Sequence, residues 1–415
     1  MEKFIVEGEV QLKGNLKIGG AKNASLPIIA ATIMANGVHV IHDVPNLSDV
    51  QKMQDILSLL GAKVKREGVT LIIDTTTLNS FFIPESLMRE MRASVFLLGA
   101  LLARFKEAKI FYPGGCTIGP RPIDLHIKAL KKLGVKFEEN GGLITAKANK
   151  LVGSEIVFDF PSVGATENAI MAAATAEGIT IIRNAAREPE IMDLQNFLNK
   201  MGAKISGGGT DTVKIAGVKK LSVTEHIVMP DRIEAGTFLI AAAMTRGEIS
   251  LENISAEYLW ALLDKLSTTG ASIKCGRNFI RIKAGKLMAA DIKTLPFPGF
   301  PTDLQAPMLS LLTMAYGTSI VTETIFENRF QHVDQLIRMG ANIKVEGRNA
   351  IIRGIRQLNG AIVEAFDLRA GGALVLAALA AKGTSEIKSI YHIDRGYECL
   401  EKKLQQLGAN IIRTS

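Results

Sequence analysis

The sequence predicts an α/β protein of two bodies, each built from three copies of one βαβαββ unit, with buried helices inside and sheets outside. Three observations carry this. A glycine pair recurs at a fixed period, a helix apolar on every face occurs once per period, and strand-like runs follow both features.

The glycine pairs are Gly61-Ala62, Gly134-Val135, Gly202-Ala203, Gly270-Ala271, Gly340-Ala341 and Gly408-Ala409. Successive glycine numbers differ by 73, 68, 68, 70 and 68. A near-constant period of this size marks a repeat architecture. Each glycine ends a stretch of helical periodicity, Met53-Leu57-Leu60 in the first copy and Leu400-Leu404-Leu407 in the last. Glycine at that point fits a left-handed helix C-cap. The β-rich Val64 and Ile411 segments come next, so each copy reads helix, cap, strand.

The second helix of each copy is apolar nearly all round. These helices are Ala24 to Ala35, Ala93 to Ala103, Thr166 to Ala176, Glu234 to Thr245, Leu304 to Ala315 and Ala370 to Ala381. A helix without a polar face must be buried. Glycine and a strand-like run follow, as in Gly178-Ile179-Thr180-Ile181-Ile182 and Gly317-Thr318-Ser319-Ile320-Val321. No G-x-G-x-x-G opens a helix after a strand, and no phosphate loop of the G-x-x-x-x-G-K-[ST] type occurs. Gly207-Gly208-Gly209 lies between strand-like runs and reads as a hairpin turn.

The 415 residues are 47% hydrophobic and 22% charged, which excludes a disordered chain. The net charge of +8 suits anionic ligands, but only five tyrosines and one tryptophan are available to stack bases, and dense Lys/Arg runs are missing. Cys116, Cys275 and Cys399 are far apart, which excludes a Cys-x-x-Cys zinc site. The histidines, among them His39, His42 and His126, show no metal-ligand spacing with carboxylates. We expect no metal and no cofactor. The longest apolar runs are too short to span a bilayer, and Met1-Glu2-Lys3-Phe4-Ile5-Val6 alternates like a strand rather than a signal peptide. A cytoplasmic protein is expected.

Two features point to chemistry. Tyr112-Pro113-Gly114-Gly115-Cys116-Thr117-Ile118-Gly119-Pro120-Arg121-Pro122 places a cysteine in a stretch whose glycines and prolines forbid regular structure, with Arg121 nearby to favour thiolate. Charged residues also crowd the starts of the apolar helices: Lys22-Asn23, Arg92, Asp231-Arg232, Asp303, and Asp367 with Arg369. Helix N-termini favour anions, and added Lys and Arg strengthen such a site. The carboxylates also suit N-caps or ion pairs. Arg121 and Arg395 add cations suited to phosphate and carboxylate.

These residues resemble the UDP-N-acetylglucosamine 1-carboxyvinyltransferase family. The segments that carry the resemblance are Gly19-Gly20-Ala21-Lys22-Asn23, the Cys116 stretch through Arg121-Pro122-Ile123-Asp124-Leu125, Asn184-Ala185-Ala186-Arg187-Glu188-Pro189-Glu190, Pro301-Thr302-Asp303-Leu304-Gln305, Asp367-Leu368-Arg369-Ala370-Gly371 and Asp394-Arg395-Gly396-Tyr397. They recur in order over essentially the full length. The resemblance implies the enolpyruvyl transferase fold, a two-domain inside-out α/β barrel of six βαβαββ repeats. It implies one domain at 21–229, a second made of 1–20 plus 230–415, and an active site in the cleft between them.

The implied reaction moves the enolpyruvyl group of phosphoenolpyruvate onto the 3-hydroxyl of UDP-N-acetylglucosamine and releases phosphate, the first committed step of peptidoglycan synthesis. It runs by addition and elimination through a tetrahedral ketal. By resemblance Cys116 is the acid, Asp303 the base or the orienting group for the hydroxyl, and Lys22 and Arg395 catalytic cations. Lys22, Asn23, Arg121, Arg329 and Arg395 are implied to hold phosphoenolpyruvate. Asn23, Arg92, Arg121, Pro122, Ile123, Asp124, Leu125, Ser162, Val163, Gly164, Asp303 and Ile325 correspond to the sugar-nucleotide site. Asp367, Arg369 and Glu188 form a supporting network, with a loop ion pair the alternative for Glu188.

Cys116 is also implied to carry a 2-(S-cysteinyl)pyruvate adduct and to be the target of fosfomycin. One departure from the family is Phe160-Pro161-Ser162, where some members carry a basic residue before Ser-Val-Gly. The partners implied are the two small-molecule substrates, with neither nucleic acid nor membrane. Nothing fixes an oligomeric state, and a monomer is the expectation. The alternatives are 3-phosphoshikimate enolpyruvyl transfer and a non-enzymatic basic repeat scaffold.

Overall fold

Backbone hydrogen bonding groups the strands of the computed structural model into six four-stranded sheets; residues 2–114, 119 and 122–414 are described. Every sheet has the same pattern, one parallel edge pair and two antiparallel pairs. A representative copy runs Ile292–Lys293, helix Gln305–Leu312, Thr318–Thr322, helix Val333–Arg338, Asn342–Glu346 and Asn349–Arg353. Its first two strands are parallel and its last two form a hairpin. This is the βαβαββ unit, and the protein has the inside-out α/β fold.

Two compact units divide the chain, with boundaries between Gly19 and Gly20 and between Met229 and Pro230, and Gly119 grouped with residues 2–19 and 230–414. In the unit of residues 20–229, the strand Glu225–Ile227 completes the first sheet by pairing in parallel with Val38–His42. In the unit of residues 2–19 and 230–414, Lys3–Glu7 lies between Thr384–Lys388 and Asn410–Thr414. Lys13–Lys17 supplies the parallel edge of another sheet of that unit, beside Glu248–Glu252. Each unit has its own apolar core.

The helices that fill these cores are the apolar ones. Arg232–Met244 has every residue buried, and it packs with Gln305–Leu312 and Leu368–Ala380. In the other unit Leu97–Phe105 packs on Val163–Ala173 and Lys22–Ala31. The Ala93 to Ala103 expectation resolves into a 3-10 turn, Arg92–Phe96, followed by the helix Leu97–Phe105, and a short helix at Glu85–Glu90 precedes it.

The periodic glycines close the amphipathic helices through Schellman motifs. At the first, the Gly61 amide donates to Ser58 O and the Ala62 amide to Leu57 O, both at 3.0 Å. The same pair of bonds recurs at Gly134, Gly202, Gly270, Gly340 and Gly408, and all six glycines have φ between 91° and 102°. That conformation costs a side-chain-bearing residue about 1 kcal/mol, which glycine avoids. The apolar helices are less uniform. Lys106 (φ 61°) and Arg246 (φ 55°) take the left-handed position themselves. Gly247 is required for space, because a Cβ there would lie 2.2 Å from Leu12 O.

Candidate active site

Asp303 stands in a 3-10 turn, Thr302–Leu304, at the mouth of the buried helix Gln305–Leu312. Arg329 Nη2 donates to its Oδ1 at 2.8 Å and Arg369 Nη2 to its Oδ2 at 2.9 Å. Both arginines are buried and Asp303 is half-buried. Burial alone would raise the Asp303 pKa, but the Arg369 and Arg329 guanidiniums outweigh it and hold the carboxyl well below the usual carboxylate range. Burial likewise works against a charged Arg369, and Asp303 overcomes it, pushing the guanidinium above its ordinary value. Asp303 and Arg369 are both ionised at any working pH.

The cluster extends on both sides. Arg329 Nη1 donates to Thr302 Oγ1 at 2.8 Å, and that hydroxyl donates to Glu323 Oε2 at 2.8 Å. Buried Glu323 also receives Thr294 Oγ1 and the amides of Ile325 and Phe326, so it fixes the turn that carries Ile325. On the other side the Arg369 guanidinium lies 5.3 Å from the Tyr397 ring centroid, and Tyr397 Oη is 3.0 Å from Thr237 Oγ1. His332, beside Arg329 and Asp367, is lowered to about 4 by burial.

The helix-mouth carboxylates divide by role. Asp367 Oδ1 accepts from the Arg369 and Ala370 amides, and Asp231 Oδ1 from those of Ile233 and Glu234. Both are N-caps, worth about 1 kcal/mol each. Asp367 thus anchors the backbone that presents Arg369, whose own side chain makes the ion pair. Arg395 ends a 3-10 run, Ile390–Arg395, packed against Leu368–Ala380.

In the unit of residues 20–229, Lys22 is the first residue of its helix and Asn23 the second, half-buried. Lys22 Nζ lies 2.7 Å from Asp49 Oδ2, with both side chains buried. Arg92 Nη2 donates to Pro122 O at 3.2 Å. Pro122 and Asp124 are exposed, Ile123 buried and Leu125 half-buried, at the entry to the helix Asp124–Lys132, which packs on Val163–Ala173. Ser162 caps that second helix by accepting from the Ala165 amide. A Cβ on Gly164 would lie 3.0 Å from His126 Cε1 and 3.1 Å from Phe96 Cε1. Arg92, Pro122 to Leu125 and Ser162 to Gly164 therefore form one neighbourhood. Glu188 is the N-cap residue of Pro189–Lys200, although its side chain does not cap that helix. Cys116 and Arg121 lie outside the described residues.

Sequence reasoning missed Asp49, Thr302 and Glu323. No quoted segment contains Asp49 or Glu323, and Thr302 is passed over beside Asp303, because each owes its place to a long-range contact. Among the described residues, no group of three or more His, Cys, Asp or Glu could hold a metal ion, and no helix is long and apolar enough to cross a membrane.

A curated protein of Caldanaerobacter subterraneus subsp. tengcongensis, UDP-N-acetylglucosamine 1-carboxyvinyltransferase 2, is 55% identical over 415 residues, all of both chains. The chain belongs to the UDP-N-acetylglucosamine 1-carboxyvinyltransferase family. Another member, from Geotalea uraniireducens, is 51% identical over 414 residues, covering 100% of this chain and 99% of its own. The family model for EPSP synthase (3-phosphoshikimate 1-carboxyvinyltransferase) matches residues 6–404. Among solved structures, the enolpyruvyl transferase NikO of Streptomyces tendae superposes with TM-score 0.89 at 23% identity, over 100% of this chain and 99% of that one. EPSP synthase of Acinetobacter baumannii follows at TM-score 0.79 and 18% identity, over the whole of both chains. These likenesses establish the fold. As a member of the 1-carboxyvinyltransferase family, the protein is a transferase of peptidoglycan synthesis.

Proposed function

We propose that the protein transfers the enolpyruvyl group of phosphoenolpyruvate to the 3-hydroxyl of UDP-N-acetylglucosamine. The observation that carries this reading is Asp303 held between Arg329 and Arg369. A fixed, ionised acid flanked by two guanidiniums at the mouth of a buried helix suits a site that must orient a hydroxyl while binding a trianionic partner.

In the addition step the sugar oxygen bonds to the enol carbon, and a proton from the Cys116 thiol goes to the methylene carbon. The hydroxyl proton leaves to solvent or a neighbouring base. In the elimination step the bond to phosphate breaks and the new methyl group gives a proton back, restoring the double bond. A carboxylate held far below its usual pKa is a poor proton acceptor, so Asp303 serves the hydroxyl chiefly by orienting it.

Lys22, Asn23, Arg121, Arg329 and Arg395 hold phosphoenolpyruvate. Arg92, Arg121, Pro122 to Leu125, Ser162 to Gly164 and Ile325 take the sugar nucleotide, with Asp367, Arg369 and Glu188 in support. The enzyme acts in the cytoplasm as a monomer on small molecules alone.

The test is phosphate release from phosphoenolpyruvate with UDP-N-acetylglucosamine or shikimate 3-phosphate as acceptor. Turnover with the sugar nucleotide only, lost in Asp303→Ala, is the expected result. Turnover with shikimate 3-phosphate, or with neither acceptor, overturns it.

A further inference from the structure

Arg413 belongs to the last strand, Asn410–Thr414, directly opposite Phe4 in the antiparallel ladder. Its backbone is paired there in the ladder. The guanidinium lies 5.1 Å from the Phe4 ring centroid and meets three carboxylates. Nη1 donates to Asp394 Oδ2 at 3.0 Å and Nη2 to Asp394 Oδ1 at 2.5 Å. Nη1 also reaches Glu2 Oε2 at 2.9 Å, and Nε lies 3.4 Å from Glu401 Oε1. Only Asp394 receives the two-pronged contact, the geometry in which Arg and a carboxylate fix each other's orientation as well as their distance.

Asp394 immediately precedes Arg395 in the 3-10 run Ile390–Arg395. That run ends at once, where the Gly396 and Tyr397 amides both donate to Ile393 O. The bidentate contact with Arg413 fixes the residue immediately upstream of Arg395.

We infer that Arg413 is a positioning residue that aims Arg395 at phosphoenolpyruvate by gripping Asp394. The inference rests on the reading of Arg395 given above. It adds a specific dependence, because lysine keeps the charge at 413 but cannot reproduce the fork.

The experiment compares full-length Arg413→Lys, Arg413→Ala, Asp394→Asn, Arg395→Ala and the double variant Arg413→Lys/Arg395→Ala by steady-state phosphate release and by calorimetry. Arg413→Lys and Asp394→Asn are expected to raise KM for phosphoenolpyruvate on the order of tenfold, with KM for UDP-N-acetylglucosamine and the melting temperature of Arg413→Lys unchanged. The double variant should be no worse than Arg395→Ala alone, since residues acting through one another are not additive. If Arg395→Ala raises KM for phosphoenolpyruvate but Arg413→Lys does not, or if the two effects multiply, the positioning role is refuted while that of Arg395 stands. If Arg395→Ala leaves KM for phosphoenolpyruvate unmoved, the reading of Arg395 fails and the inference with it. Should Arg413→Ala not fold, Arg413→Lys and Asp394→Asn decide the question.

Discussion

Lys22 Nζ sits 2.7 Å from Asp49 Oδ2, and both side chains are almost fully withdrawn from water. Breaking one side of a buried pair leaves an uncompensated charge, at about 3–5 kcal/mol. Asp49→Ala should therefore lower the calorimetric transition of the unit it occupies and reduce turnover through Lys22. An unchanged transition would mean that Lys22 finds equivalent compensation elsewhere.

Asp303→Asn keeps the shape of the side chain but leaves Arg329 and Arg369 without their shared anion. Loss of one such group in a preorganised site costs about 3–4 kcal/mol of transition-state stabilisation, so kcat should fall by at least a hundredfold. The pH dependence of stability follows from the depressed Asp303 pKa. Its contribution is complete above the unfolded value near 3.9 and is lost as pH falls from there towards the folded value. Acid unfolding of the wild type below pH ~4 should be steeper than that of Asp303→Asn.

The buried histidines act over a different pH range. His39, fully buried beside Phe197, is lowered from 6.5 to about 4 by loss of solvation. Its neutral form is favoured in the fold, so its contribution is complete above pH 6.5 and lost as pH falls from 6.5 to about 4. Melting followed across that interval should show a loss of roughly 3 kcal/mol in the unit of residues 20–229, which His39→Gln abolishes. A variant that keeps the wild-type slope would contradict this.

Two glycine substitutions separate backbone strain from crowding. Gly408 has φ 93° and open space where a Cβ would go, so Gly408→Ala should cost about 1 kcal/mol and leave kinetics unchanged. Gly164→Ala would press on His126 and Phe96 and shift the Ser162 to Gly164 turn. Its expected signature is a raised KM for UDP-N-acetylglucosamine with little change for phosphoenolpyruvate. Equal rises in both KM values would remove that turn from the sugar-nucleotide site.

The repeat was readable because its signals are local. A Schellman glycine must have positive φ wherever it occurs, and an apolar helix must be buried whatever surrounds it. Lys106 and Arg246 escaped this logic because longer residues can bear the left-handed conformation when the following chain demands it. Asp303, Asp231 and Asp367 look alike in sequence. They diverge because Asp303 lies within a 3-10 turn, whereas the other two directly precede their helices and meet free amides. Asp49 and Glu323 were hidden for another reason. Their partners lie 27 and 21 residues away, at Lys22 and Thr302, and only the folded chain brings them together.

The strand Lys3–Glu7, held between Thr384–Lys388 and Asn410–Thr414, has a consequence for how the chain is made. This strand leaves the ribosome more than 370 residues before its two neighbours. Meanwhile all the strands of the unit of residues 20–229, Glu225–Ile227 included, have already emerged. That unit can finish folding during translation, while its discontinuous companion waits with an open sheet until Asn410–Thr414 has emerged. A nascent chain arrested before residue 384 should therefore contain one protease-resistant unit, of residues 20–229, attached to a digestible remainder.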